Sequence, residues 1–389
     1  MTISIAKNSL RTITMAAALS GAAACVSAPQ EIASTGSAPE ALRGYYAQLE
    51  RTTDLPRMTT PALDSSRAIT RFAFGSCNHQ QRSQDAWPVI GSFDPQLFLA
   101  IGDNVYADVG YRGAADLATF VDAYRLQASH AEFASFVGAV PTFATWDDHD
   151  FGPNDSGGSF FAKEWSETIF ENFWASNDRV RSRPGVYDSF TAGPAGQRVQ
   201  FIILDTRFFR TDLTEYPYQE ERRLLGGYAF ASNPGDSMLG AEQWRWLEQE
   251  LAKPADLRIV VSSIQVLTEA HHFESWATMQ LERQRLLQML GNRAASGMIL
   301  LSGDRHSGAF YSHRPEGMEE EFREFTSSSL NLAFVSDDAD TREPDPRRSS
   351  SMITEENFGL LDIDWSARRV AMRLMDDEGQ EIVGETYSF

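Results

Sequence analysis

The chain has 389 residues, 42% of them hydrophobic and 23% charged, an ordinary globular balance that excludes disorder as its dominant character. Its formal charge of −20 at pH 7 disfavours nucleic acid as a partner, because a polyanion would meet an acidic surface. Beyond the amino terminus no run is long and apolar enough to span a bilayer.

In residues 1–24, Lys7 and Arg11 accompany a small, apolar stretch from Ile13 to Ala24 without an acidic residue, the pattern of an export signal. Cys25 follows Ala22-Ala23-Ala24 directly, as in a bacterial lipoprotein signal whose cysteine becomes the lipidated first residue; a plain secretory signal or a short anchor helix is the alternative. The mature chain is therefore expected outside the cytoplasm, on the periplasmic side or cell surface, membrane-attached through lipidated Cys25 or secreted. Residues 25–44, rich in Ala, Ser, Pro and Gly, are expected as a flexible tether, and 45–389 as one catalytic domain. Loss of residues 1–24 removes Lys7 and Arg11, leaving 32 basic against 54 acidic residues, a formal −22. If Cys25 carries lipid, Cys77 has no disulfide partner, and burial and metal ligation are its two readings.

Six apolar runs end in polar turns: Ile69–Phe74, Leu97–Ile101, Val140–Thr145, Val199–Leu204, Arg258–Val266 and Met298–Leu301. Each predicts a buried strand with polar residues at its carboxyl end. Helical patterns lie between them at Ala114–Gln127, Phe160–Ser176, Ala241–Leu251 and Trp276–Leu290. The alternation predicts an α/β fold, in which ligands bind beyond the carboxyl ends of the strands. The Phe161/Trp165/Ile169/Phe173 stripe reads as core packing. Past Tyr311, Phe322–Ser327, Phe358–Trp365 and Arg369–Met375 are β-like; an acidic loop spans Asp337–Arg348, and the last two runs predict a hairpin finishing a second sheet.

Asp103 follows a strand and Gly102, so its carboxylate can stand at the strand end and hold a hard cation. Tyr106 reaches the same point if the turn is helical, and a phenolate ligand requires a strongly Lewis-acidic ion such as ferric iron. The alternative is a helix-capping aspartate followed by a core tyrosine. Cys77 complements such an ion as a thiolate. The run Trp146 to Asp155 gathers four acids, His149 and Asn154, a density that self-repels unless cations or hydrogen bonds compensate. Asp304 and His306 stand two apart after another strand and glycine, both good ligands. Arg207, or Arg210 nearby, is the candidate to grip phosphate oxygens, against a structural pairing of Arg207 with Asp205. One of His271 and His272 is a further candidate for the crevice.

Taken in order, Gly75-Ser76-Cys77, Gly102-Asp103-Asn104-Val105-Tyr106, Trp146-Asp147-Asp148-His149-Asp150, Leu204-Asp205-Thr206-Arg207 and Ser302-Gly303-Asp304-Arg305-His306 resemble the PhoD-like alkaline phosphatase and phosphodiesterase family of metallophosphatases. The resemblance runs from about Phe72 through Tyr311 and on towards the C-terminus. It implies a four-layer α/β/β/α sandwich with the metal site at the strand carboxyl ends. By it, Cys77, Asp103 and Tyr106 surround iron, while Asp103, Asn154 and Asp304 surround calcium or another divalent cation, with His306 completing one centre. Asp148 takes the place of a ligand asparagine in related metallophosphatases, and His149 that of their phosphate-contacting histidine. The sequence departs from the family at Asp150, where glutamate is usual, at Gly152-Pro153, and at Ala270-His271, where Glu-His is more usual. The implied activity is hydrolysis of small-molecule phosphoesters by metal-bound hydroxide, with Arg207 stabilising charge and His149 protonating the leaving group. An alkaline phosphomonoesterase is the first expectation. A phosphodiesterase acting on lipid head groups or nucleotide-derived diesters is the second, and a non-catalytic metal-binding surface lipoprotein the reading from another class.

Overall fold

The computed structural model describes residues 38–216, 226–292, 297–319 and 321–389. The expected export signal and Cys25 lie outside the described residues. Helix α1 (Ala38–Thr52) starts inside the stretch 25–44 expected as a tether. There follow β1 (Arg71–Gly75), α2 (Ala86–Ser92), β2 (Phe98–Ile101), α3 (Ala118–Ser129), α4 (Ala131–Ala139), β3 (Thr142–Thr145), α5 (Asp148–Phe151), α6 (Lys163–Phe173) and α7 (Asp178–Arg181). The second half holds β4 (Asp188–Ala192), β5 (Val199–Ile203), α8 (Gly240–Leu251), β6 (Leu257–Val261), α9 (Gln280–Gly291), β7 (Met298–Ser302), β8 (Gly308–His313), β9 (Phe322–Ser327), α10 (Ala339–Arg342), β10 (Phe358–Asp364), β11 (Arg369–Met375) and β12 (Glu381–Ser388). Among the described residues no helix is long and apolar enough to cross a membrane.

The strands form two six-stranded sheets, ordered β12-β11-β10-β1-β2-β3 and β4-β5-β6-β7-β9-β8. β1, β2 and β3 are parallel, as are β5, β6, β7 and β9. These parallel strands are covered on both faces, which is why they read as nearly unbroken apolar runs. Phe72 and Phe74 point inward to meet Phe201 and Phe325 of the other sheet edge-on, at ring distances of 5.3 and 4.9 Å. Ala73, between them, faces the opposite way and joins Trp87, Phe120 and Trp165 under α2–α6. Outside the second sheet, Ile202, Val260 and Leu300 pack against Trp244 and Leu247 of α8 and Leu286 and Leu290 of α9. The layers are therefore α/β/β/α, as the resemblance implied, and each fully buried large side chain contributes about 1.5–3 kcal/mol.

The C-terminal hairpin β10–β11 forms as expected, but it completes the first sheet, antiparallel to β1, rather than a second one. The reason lies in the register: Gly359 sits opposite Phe74, and a Cβ there would stand 2.0 Å from the phenyl ring. Two other expectations shift. The run Arg258–Val266 is strand only to Val261, where Ser262-Ser263 begins a loop, and the run from Trp276 opens as a 3-10 turn before α9.

The stripe on α6 is core packing, with Trp165, Ile169 and Phe173 buried and Tyr46 of α1 stacked on Trp165 at 6.0 Å. On the same helix Glu167 accepts the Gly185 N–H at 2.5 Å. Burial, with Glu171 one turn on, raises its pKa to about 8. A carboxyl whose folded pKa lies above its unfolded value costs stability as pH rises between the two. Glu167→Gln is therefore expected to leave Tm unchanged at pH 4 and to add on the order of 1–3 kcal/mol at pH 9. Thermal denaturation across that range measures it, and a pH-independent difference would contradict the cause.

Candidate metal centre and crevice

The carboxyl ends of β1, β2, β3, β5, β7 and β9 deliver their turns to one place. Gly102 turns the chain at φ +121°, and a Cβ on it would lie 2.7 Å from the Asp147 Cβ, so the β2 and β3 turns touch only because it is glycine. Four residues next to such turns adopt left-handed backbone: Cys77 (φ 58°), Asp103 (φ 48°), Asp304 (φ 61°) and His306 (φ 50°). Each costs on the order of 1–3 kcal/mol, and such strain gathers where side chains must be aimed.

Their donors converge. Cys77, Asp103 and His306 bring a sulfur, a carboxylate oxygen and a ring nitrogen within 4.8 Å of one another. Tyr106 Oη lies 3.3 Å from Asp103 Oδ2 and 3.4 Å from His306 Nε2. Burial lowers the His306 pKa to about 4, so the imidazole is neutral. Its Nδ1 donates to Leu332 O at 2.7 Å, which leaves Nε2 as a free lone pair facing Tyr106. Beneath Cys77, Ser328 Oγ accepts the backbone N–H of Arg305 at 2.6 Å and of His306 at 3.0 Å. Its own hydrogen is thereby directed to Cys77 Sγ, 3.1 Å away.

A second group shares Asp103. Its carboxylate and those of Asp147, Asp148 and Asp304 each place an oxygen within 4.8 Å of the others. Burial pushes Asp103 and Asp304 well above the usual carboxylate range, and Asp147 to about 7. Burial would raise Asp148 too, but His149 and Arg207 hold it below its ordinary value. Asp147 Oδ2 has no hydrogen-bond partner among the described residues. Four carboxylates crowded this closely, one with an orphaned oxygen, fit a cation that supplies the missing charge. Sulfur, phenol and imidazole donors beside Asp103 on one side and carboxylates alone on the other distinguish two candidate ion positions, where a bound cation would favour the ionised thiol and phenol that burial otherwise disfavours.

His149 stands at the edge of the carboxylates, its backbone N–H 3.4 Å from Asp103 Oδ1 and its Nδ1 2.7 Å from Asp108 Oδ1. Burial alone would lower its pKa; the charges of Asp148 and Asp103 and the Asp108 hydrogen bond outweigh it and raise the value to about 11. Asp150 instead serves the backbone: it accepts the N–H groups of Asp147 and Asn104 at 2.6 and 3.1 Å.

Arg207 is not where the sequence reading put it. It is fully buried, pairs through Nη1 with Glu274 at 2.5 Å and through Nε with Asp147 at 2.5 Å, and does not line the crevice. Nor does it pair with Asp205, whose carboxylate accepts the backbone N–H of Arg207 and Phe208 and the Trp146 indole N–H. Arg210 pairs with Glu274 as well, at 2.8 Å. Both guanidinium groups are buried against carboxylates, and neither lines the crevice. His271 is buried against Gln265 at 3.0 Å and His272 is half-buried, its Nδ1 2.7 Å from Tyr228 O, both outside the donor groups. Asn154 is exposed on the crevice lining beside Asp155.

Asp147, Asp155, Glu274, Asp108 and Ser328 were not singled out from the sequence. Asp147 and Asp155 lie in the acidic run that was, and Glu274 follows the His271-His272 pair two residues on. Ser328 follows β9 and carries the same strand-into-polar-turn signal as the other ligands. Nothing local marks Asp108.

Above the donors opens a crevice of about 630 Å3 lined by Asp148, His149, Asp155, Tyr228, Asp304 and His306 among others. A larger hollow of about 760 Å3, by Arg71 and Asp362, holds none of these ligands.

Two facing sheets whose strand ends converge on a buried thiol–phenol–imidazole set and a carboxylate cluster define a metal-dependent hydrolase of the layered α/β class. A family model described as PhoD-like phosphatase matches residues 72–374, and the chain belongs to that family. A solved structure described as "Structure of PhoD" has the same fold, with a TM-score of 0.65 and 18% identity, covering 85% of this chain and 72% of that one. No curated protein matches the chain. Family membership makes it a metal-dependent phosphatase acting on small-molecule phosphoesters, and the reading as a non-catalytic metal-binding lipoprotein falls away.

Proposed function

We propose that the enzyme is an exported phosphomonoesterase that releases phosphate from organic esters. The observation that carries this is His149, beside the carboxylate cluster at the crevice and held protonated by Asp108, Asp148 and Asp103. A positioned acid there protonates the leaving alkoxide, which an ester of an ordinary alcohol needs. Asp108 fixes the imidazole through Nδ1, so Nε2 is the nitrogen left for the substrate. The Arg207 guanidinium lies against Asp147, Asp148 and Glu274 beneath the site; its charge opposes the upward push of burial on all three carboxyls and helps hold Asp148 below its ordinary value.

Cys77, Asp103, Tyr106 and His306 are proposed to hold iron, and Asp103, Asp147, Asp148 and Asp304, with Asn154 above, calcium or another divalent cation; donor softness supports this assignment. Bound there, the ions supply Lewis-acid polarisation and charge neutralisation. Elemental analysis of purified protein tests it: no iron would remove the first assignment.

A phosphodiester is the second reading, favoured because Arg207 and Arg210 are occupied and a diester brings one negative charge fewer. Comparing kcat/KM for an aryl phosphate monoester and its bis-aryl diester decides the order. We expect the monoester to be the better substrate, and a higher value for the diester would reverse it. Export and lipid attachment at Cys25 rest on the pattern of residues 1–25, and the mass of the mature amino terminus tests both.

A further inference from the structure

Only seven large hydrophobic side chains stand well exposed among the described residues, and the two phenylalanines in that set, Phe273 at 38% and Phe334 at 62%, both line the crevice. Single exposed apolar residues are ordinary; two exposed rings lining one polar crevice are not. Phe334 is held in place: its backbone N–H donates to His306 O at 3.0 Å, and its ring stacks on the His306 imidazole at 4.1 Å and 21°. The stack thus grows directly out of the donor set. Phe273 flanks the same dipeptide, with the Arg305 guanidinium 4.9 Å over its ring and anchored by Glu343.

Two of the polar side chains around these rings are engaged within the protein. Tyr228 Oη donates to Asp155 Oδ2 at 2.6 Å, and Glu274 is taken by Arg207 and Arg210. The lining carboxylates Asp148, Asp155, Glu215, Glu274 and Asp304 outnumber the cations, which repels a leaving group carrying further phosphates.

We propose that Phe334 and Phe273 form a leaving-group subsite for a planar, uncharged ring, so that the preferred substrates are phosphoesters whose alcohol carries a heteroaromatic base, of nucleoside type. The ring extends the His306–Phe334 stack while the phosphate lies over the donor groups. Base–aromatic stacking tolerates any base and needs no hydrogen-bond readout.

The inference rests on the phosphatase reading, and its test separates the two. Adenosine 5′-monophosphate and ribose 5-phosphate share a primary leaving alcohol and differ in the base. The metal-loaded wild type should favour the nucleotide in kcat/KM by about tenfold or more. Phe334→Ala should lower the nucleotide value about tenfold more than the ribose 5-phosphate value, and lose adenosine binding measured by calorimetry against a ribose control. Phe334→Trp should keep the preference. Equal efficiency on both esters in the wild type, or equal loss on both in Phe334→Ala, overturns the subsite while leaving the phosphatase reading intact. Phosphate release from neither ester removes the monoesterase reading. In that case adenosine binding that Phe334→Ala abolishes still supports the subsite, and adenosine that does not bind overturns it.

Discussion

Asp103→Ala should lower kcat by about a thousandfold or more and strip the enzyme of bound metal. Asp103 belongs to three of the four donor groups, reaching Cys77 and Tyr106 through Oδ2 and the His149 backbone through Oδ1. It is therefore the residue both ion positions share. Metal-ion stabilisation of a developing charge is worth several kcal/mol, and each 1.36 kcal/mol is tenfold in rate. The fold should persist, because Asp103 makes no ion pair among the described residues and the left-handed backbone at φ 48° costs alanine only about 1–2 kcal/mol. Elemental analysis, a phosphate-release assay and Tm in chelator, measured together, separate site loss from unfolding. Full activity without metal would end the metal-dependent account.

Arg207→Met should instead fail as a folding mutation. In the wild type the guanidinium joins Asp147 and Glu274, all three nearly or fully buried, with Asp148 3.9 Å away. Removing one partner of a buried pair leaves uncompensated charge and costs about 3–5 kcal/mol. Here two carboxylates are left facing each other, so Tm should fall on the order of 5–10 °C. Added cation should recover part of this by neutralising Asp147 and Asp148, whereas chelator should deepen it. Calorimetry with and without metal measures both. An unchanged Tm with only a raised KM would return Arg207 to the role of gripping phosphate.

The contrast between Asp103 and Arg207 locates the limit of what could be read from the chain. Asp103, Cys77, Asp304 and His306 were legible because each follows a strand buried on both faces: the apolar run stops at the turn, and the next polar residues project at the strand end. The same logic applied to β9 would have reached Ser328. Arg207 also follows a strand, but its partners come from Asp147 and Glu274, 60 and 67 residues away in the chain, and no local pattern records them.

The sequence by itself determined the alternation of strands and helices, the strand-end glycines and acids, and, through five ordered motifs, the family. Each is a local property: hydrophobic periodicity, turn chemistry and ligand type are written within a few residues. Only the tertiary structure decided that the C-terminal hairpin pairs with β1, where Gly359 makes room for Phe74. It alone turned Arg207 from a substrate ligand into an internal counter-charge, and brought Phe273 and Phe334 over one crevice. Packing and Coulomb energies depend on distance in space, and side chains far apart in sequence acquire that distance only when the two sheets close on each other.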